Sequence, residues 1–539
     1  MGDISDFFTV WDWVVVFGYL LLTTWVGHMM RGKQATIKDF FLGGRSLPWP
    51  AVSGSIIATE ISGVTFIGVP GIVMAANGDF TYLQWAIGSM IGRVVVAWLF
   101  VKVYYEENIY SPYDYMGKRL GEGVKRLATI FFTVGSILAQ SVRVLVAALP
   151  LRVVTGLDFE ICILIIGIFA IGWTLMGGMR TVIWTDVMQF GLFALGGVVS
   201  LFWIIGQLDG GWGEYWAVGS ESGKFRLIDL GVMPDLQFTL WVALLAVPFQ
   251  NLSMFGVDQL NAQRVFCCKN ESDARKALVF SCVGQTLTVL MLMVGAALYV
   301  FYLSHPPVGA VADYLQLDGG MVPRGENGGD GVFPAWIVSE LPPGLSGLIL
   351  AGLFAAAISS LDSILAALSQ TTLSIFWKPS DEEEGKQRQM LWISRGLVIF
   401  WGAALTLFTF LMYAIKDDVP ILSLAFGMTS YTVGPLLGMF VAALLGKGNF
   451  RGLAVGAVLS FLLVLFVRTD VWLLVGKYWT GVYELLAVLP SYVAIEGEGG
   501  EVVGVTAVLF SGWLWPVTAV LTYLCAALFA GRGAPRVVA

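Results

Sequence analysis

Charge is what this chain has least of. Asp, Glu, Lys and Arg make up 13% of its 539 residues, against about 25% in a soluble domain. That scarcity excludes a water-soluble enzyme and a disordered protein. Histidine occurs twice, at His28 and His305, too few for a His-centred catalytic apparatus or a haem site. The five cysteines, Cys162, Cys267, Cys268, Cys282 and Cys525, form no CxxC or Cys/His cluster. Neither a disulfide framework nor a zinc site is indicated. No long basic run occurs and the net charge is −7, so a nucleic-acid partner has no support. The G-x-S-x-G, HExxH and P-loop patterns are missing, which speaks against a membrane-embedded enzyme.

Apolar residues fill the space that charge leaves. They are 57% of the chain, and mean hydropathy is +0.78. The 64 glycines suit close helix packing in lipid. A spanning helix takes about 20 mostly apolar residues, a template that predicts about thirteen such helices here. They run over 9–29, 50–75, 79–105, 124–154, 159–177, 181–207, 237–257, 275–303, 344–376, 391–414, 420–445, 450–468 and 506–530. The start, MGDISDFFTVWDW, lacks the positive region of a cleaved signal peptide. The first apolar stretch is therefore expected to stay as a helix. The fold class is all-α and integral to the membrane, with the lipid bilayer as partner.

Lys and Arg concentrate in alternate loops, which sets an orientation. One set holds Arg31, Lys33, Lys38 and Arg45, then Lys118, Arg119, Lys125 and Arg126, then Arg264, Lys269, Arg275 and Lys276, then Lys378, Lys386 and Arg388, and then Lys447 and Arg451. The opposite loops are poor in them. The expected topology has the N-terminus outside and the C-terminal Arg532 and Arg536 in the cytoplasm, in a cell (inner) membrane. The outer loops 208–236 and 304–343 are long. A third, 469–505, is read as holding an interfacial helix around Tyr478 to Ala494. The acidic stretch Ser380 to Gly385 reads as a solvated turn. The GENGGDG run at 325–331 lacks EF-hand spacing and reads as a flexible loop.

An ionisable residue inside a bilayer is costly and needs a reason. Glu60, Arg143, Asp186 and Asp362 fall deep in predicted spans, and Arg93 and Asp258 nearer helix ends. For Arg93 the plain reading is a pair with a neighbouring helix, and for Asp258 a helix end. Around Glu60 runs SGSIIATEISGVTFIGVPG, from Ser53 to Gly71, with small and polar residues in mid-span. A helix unwound near Ala58 to Gly63 would free carbonyls, which is tolerated where backbone lines a cavity. Such oxygens suit a hard cation; a small-residue packing face is the plainer alternative. The second unusual stretch is AGLFAAAISSLDSILAALSQ, Ala351 to Gln370. Ser359 and Ser363 share a face there, beside Ser360 and Asp362. This density favours an ion site over hydroxyls bonded back to their own helix.

Five stretches together carry a family resemblance. They are DFFLGGRSLPWPAVSGSIIATEISGVTFIGVPG (39–71), YYEENIYSPYDYMGKRLG (104–121), GGMRTVIWTDVMQ (177–189), NLSMFGVDQLNAQRVFCCKNESDARKAL (251–278) and AGLFAAAISSLDS (351–363). In this order and spacing they resemble the sodium/solute symporter family, which holds carriers of sugars, proline, iodide, vitamins and sialic acid. The resemblance covers roughly residues 10–450. It implies the LeuT-type fold, a 5+5 inverted repeat with one extra helix before and two after. Residues 1–49 would then hold the outer N-terminal segment, first helix and cytoplasmic loop. Repeat one would be 50–208, an external loop 209–236, repeat two 237–446 with its long loop 304–343, and two peripheral helices 447–539.

The resemblance also implies residue roles. The family's main sodium site maps onto the carbonyls of Ala58, Ile61 and Ala356 and the hydroxyls of Ser359 and Ser360. A second sodium, as in the sialic-acid carriers, would use Asp186, Ser359 and Ser363, with Asp362 standing where those carriers have another serine. The sugar branch's contact positions are occupied here by Thr65, Gln84, Met254 and Gln285, and Asn251 is kept. That departs from a hexose carrier. The sialic-acid branch's pocket maps onto Ser62, Thr65, Phe80, Gln84 and Arg143. Two readings of Arg143 stand: it pairs with a substrate carboxylate, or it pairs with Glu60.

The function implied is sodium-coupled symport of a small organic solute by alternating access. A carboxylated sugar such as sialic acid is one solute class, and a neutral sugar, inositol or another carboxylate is the alternative. A channel or transport-like sensor on the same fold is the rival of another class, and proton coupling through Glu60 the nearer one. No enzyme activity, no cofactor besides Na⁺ as coupling ion, and no obligate protein partner are expected.

Overall fold

The computed structural model describes residues 3–30, 32, 41–75, 77–107, 109–176, 178–315, 329–376, 384–415, 421–496 and 502–529. Arg31, Lys33, Lys38, Lys378, Arg532 and Arg536 lie outside the described residues. So do 325–328 of the GENGGDG run and 380–383 of the acidic stretch.

Among the described residues ten helices are long and apolar enough to cross a membrane. Two helix pairs bent at a break bring the number to twelve if each pair is one span, and the apolar helix Phe159–Leu175 is shorter. Each of the thirteen expected segments overlaps one of these, most ends within a few residues, although the count of membrane-length spans is ten, or up to twelve, among the described residues. Six helices position the site: α1 (Val10–Met30), α2 (Trp49–Glu60), α3 (Gly63–Met74), α4 (Met179–Gln207), α5 (Gln259–Phe266) and α6 (Leu345–Phe376). Helix α2 follows Pro48 and has Pro50 in its first turn, where a missing N–H costs nothing. It stops where Ile61 (φ −86°, ψ 78°) leaves the helical region. Ser62 is extended (φ −91°, ψ −177°), and α3 starts at Gly63. The two halves are bent by 50°. The break is narrower than the unwinding expected from Ala58 to Gly63. A second break falls at Val257 and Asp258, between the span ending at Gly256 and α5.

The residues fall into two compact units. One comprises Met1–Leu83, Gln140–Leu227 and Gln263–Leu422; the other comprises Gln84–Ala139, Ile228–Ala262 and Ser423–Ala539. Each draws on both expected repeats. In the first unit α1 packs on α6, α2 on α4, and α4 on α6. The Asp12 carboxylate of α1 accepts from the backbone N–H of Gly344 (2.7 Å) and Gly347 (2.9 Å) and from Ser346 Oγ (2.6 Å). It caps the start of α6 from a neighbouring helix, where unsatisfied N–H groups and the helix dipole both favour an anion.

In the second unit the helix Trp85–Val95 packs on Leu240–Gly256 through Gly88. A Cβ on Gly88 would stand 2.2 Å from the Ala243 carbonyl oxygen, so only glycine permits this approach. The same unit corrects one expectation. In place of an interfacial helix from Tyr478 to Ala494 there is a short helix, Gly481–Ala487, followed by strand β1 (Tyr492–Glu496). Strand β1 pairs antiparallel with β2 (Val502–Ala507). The β-branched Val493, Ile495, Val502, Val503, Val505 and Thr506 favour a pleated ladder over a helix. Tyr492 and Val505 pack on Val482, Tyr483 and Leu486.

Candidate ion and solute site

The break between α2 and α3 sets two opposite helix ends side by side. The last carbonyls of α2, Ala58 among them, have no helical N–H ahead of them, and that end is partially negative. The carbonyl of Ser62 instead accepts from the N–H groups of Thr65 (3.0 Å) and Phe66 (3.1 Å), opening α3. The N-terminal end of α3 is partially positive. Oxygen ligands for a cation and N–H groups for an anion thus lie within a few residues.

Helix α6 supplies the facing wall. Ser359 and Ser360 are 2% and 3% exposed. Ser360 lines a small cavity with Ser62, Gly63, Arg143, Val146 and Leu353. The structure therefore joins the broken helix, an expected sodium ligand and the mid-span arginine at one cavity. Ala356 lies on the same helix, one turn before Ser359 and Ser360. Gln189 of α4 donates through Nε2 to the Ala355 carbonyl (3.0 Å), which fixes this part of α6.

Asp186 stands at the centre of a buried network. Its Oδ1 accepts from Ser359 Oγ and its Oδ2 from Ser55 Oγ. Arg264 of α5, fully buried, completes it. Its Nη2 donates to Asp186 Oδ2 (3.1 Å) and to Ser363 Oγ (2.7 Å), and its Nε to Ser55 Oγ (2.9 Å). Three of the four residues expected at a second sodium site thus meet around a guanidinium. The fourth, Asp362, is also buried, and its Oδ1 has no hydrogen-bond partner. Arg264, Ser55 and Gln189 were not legible as site residues. The available signal was the polar run Gln259, Asn261, Gln263 and Arg264 in one short helix, all of it buried.

The other expected solute contacts are distributed over both units. In the first, Thr65 and Phe80 are buried. Gln285 Nε2 donates to Glu60 Oε1 (2.9 Å). Phe80 meets Phe225 edge-on, with centroids 5.4 Å apart. The preceding Lys224 is buried. Its Nζ donates to the carbonyls of Val73 (2.9 Å), Ala75 (2.6 Å) and Gly78 (3.1 Å). A cation at the carbonyl end of α3 complements the helix dipole. Lys224 lies between spans, and burial pushes its ammonium down from 10.5 to about 8, with Asp79 opposing. In the second unit Gln84 Nε2 donates to the Phe238 carbonyl (2.9 Å). Asn251 accepts from Ser89 Oγ (2.9 Å) and donates to the Val247 carbonyl (3.0 Å). Arg93 is buried, donates to Ser89 Oγ (3.0 Å) and lies 4.5 Å over the Phe255 ring. Met254 presents its carbonyl to Asn261 Nδ2 (3.0 Å), and Asp258 accepts from the Leu260 N–H (2.7 Å) in the second break.

A bundle of membrane helices, interrupted where polar groups gather, is the build of a secondary transporter. A solved structure, the substrate-bound outward-open state of a Na⁺-coupled sialic acid symporter, shares that build. Its TM-score is 0.76, at 23% identity, over 98% of this chain and 98% of that one. The fold is the LeuT type. The chain belongs to the sodium:solute symporter family, whose profile matches residues 40–456. It is 30% identical over 472 residues to the sodium/iodide cotransporter of Homo sapiens, covering 84% of this chain and 69% of the relative. It is 27% identical over 463 residues to the sodium/sialic acid symporter SiaT of Proteus mirabilis (strain HI4320), covering 85% and 89%. The protein is a multi-pass, sodium-coupled symporter and not an enzyme.

Proposed function

We propose that the protein imports a small carboxylated solute together with sodium by alternating access. The observation that carries this reading is the cavity where Arg143, Ser62 and Ser360 meet beside the first turn of α3. A guanidinium and a helix N-terminus at one place favour an anion. A sugar acid of the sialic-acid type is the first solute to test, since SiaT is among the relatives. The sodium ion is assigned to the carbonyls of Ala58, Ile61 and Ala356 with Ser359 and Ser360 Oγ. Bound there, it ties the end of α2 to α6 and closes the gap through which that end would otherwise move. The solute then binds at Ser62, Thr65, Phe80 and Arg143, and the repeats 50–208 and 237–446 rock to expose both to the cytoplasm. The N-terminus is assigned to the outside of an inner membrane.

Uptake of labelled sialic acid into proteoliposomes tests this, with an inward sodium gradient against an equal potassium gradient. Sodium-dependent uptake is expected. In Arg143→Ala the KM for the carboxylate should rise about tenfold or more, because a buried charge-assisted contact is lost. Sodium-driven flux of a neutral sugar or inositol, indifferent to Arg143→Ala, would remove the carboxylate and leave Arg143 an internal partner.

A further inference from the structure

Asp186, Ser359 and Ser363 offer the oxygens a second sodium ion would need, but a positive charge of the chain's own already occupies them. Arg264 is fully buried and donates to Asp186, Ser363 and Ser55 at 3.1, 2.7 and 2.9 Å. A guanidinium has five N–H donors and no acceptor, and stays charged at any working pH. Asp186 Oδ2 accepts from both Arg264 and Ser55, and Oδ1 from Ser359. Ser363 accepts from Arg264 and donates its own proton to the Ser359 carbonyl (2.9 Å). A metal ion at this set would meet N–H hydrogens where it needs lone pairs. Asp362 is buried with its Oδ1 unpaired, but one free carboxylate oxygen does not make the set of oxygen ligands a sodium ion needs.

We infer that Arg264 is a tethered substitute for the second sodium, so that the symporter binds and carries a single sodium ion. The inference rests on the sodium assignment above and sharpens it. Ser359 links the two places. Its O–H goes to Asp186, which leaves its lone pairs for the ion at the main site. The fixed cation therefore acts on that ion through Asp186 and Ser359, and Arg264 is a positioning residue. The bland alternative is an ion pair that only staples α4, α5 and α6. It predicts the same fold and a different ion count.

Equilibrium binding of radiolabelled sodium to the purified full chain separates these readings without needing the solute. One saturable site per chain is expected for wild type, and Ser360→Ala should weaken it about tenfold to a hundredfold. Arg264→Gln leaves the buried Asp186 carboxylate without its cation and should bind a second sodium ion. That site should vanish again in Arg264→Gln/Asp186→Asn. Two sites in wild type would overturn the inference, and so would a folded Arg264→Gln with one site. The wild-type count decides even where the variants fail to fold. No sodium binding by wild type would instead sink the main-site assignment, and the inference with it.

Discussion

Ser359 and Ser360 are neighbours on α6 with different company. Ser359 gives its proton to Asp186, whereas Ser360 lines the cavity with Ser62 and Arg143. Ser360→Ala therefore removes a proposed sodium ligand and leaves the buried ion pair alone. The sodium concentration for half-maximal uptake should rise about tenfold to a hundredfold, the worth of one contact to a full charge. Thermal stability should hold. Ser359→Ala should lose sodium affinity and stability together, because it also strips a donor from a buried carboxylate. Both serines were legible because hydroxyls and a carboxylate crowd an Ala-rich run. Asp186 stood out in the same way. Arg264 did not. A basic residue past a predicted span end reads as a cytoplasmic charge, and only the return of α5 to the core brings it to Asp186.

The spanning helices were the most legible elements, since apolar length alone marks them. The broken helix was also visible, in the small and polar residues around Glu60, although the break takes only Ile61 and Ser62. The expected helix from Tyr478 to Ala494 ran into what is the first strand of a hairpin at 492–507. A half-apolar stretch near a membrane shows no clear period, and pairing with a second strand decided it.

Two contacts between elements make testable claims. Asp12→Ala removes the borrowed cap of α6 and should cost about 1–2 kcal/mol of stability, read as a lower unfolding temperature. Sodium affinity should fall with it if the frayed end reaches the serines. Lys224 clamps the end of α3 with an ammonium that loses its proton in the native state at about pH 8. In the unfolded chain it keeps the proton to about 10.5. Between those values the unfolded state binds more protons, so this group's contribution to stability rises with pH. Below about pH 8 the burial cost is present in full. The unfolding temperature of wild type relative to Lys224→Met should therefore climb from pH 7.5 to pH 10 (values on the order of the two ionisations). A flat difference would mean that Lys224 keeps its ordinary ionisation.

For the whole molecule, the ion count matters more than any single affinity. A carrier that moves one sodium ion with one monoanion transfers no net charge. Membrane voltage supplies roughly 2.3 kcal/mol per charge per 100 mV to a carrier that does transfer charge, and nothing to an electroneutral one. Potassium-diffusion potentials imposed with valinomycin should leave its initial uptake rate of a monocarboxylate unchanged. A neutral solute on the same single ion would respond to them. On the single-ion proposal, Arg264 sets an energetic ceiling. Because its charge stays with the chain, the steepest monoanion gradient such a one-sodium carrier can sustain is the sodium gradient itself, and a cell of any voltage would obtain the same limit.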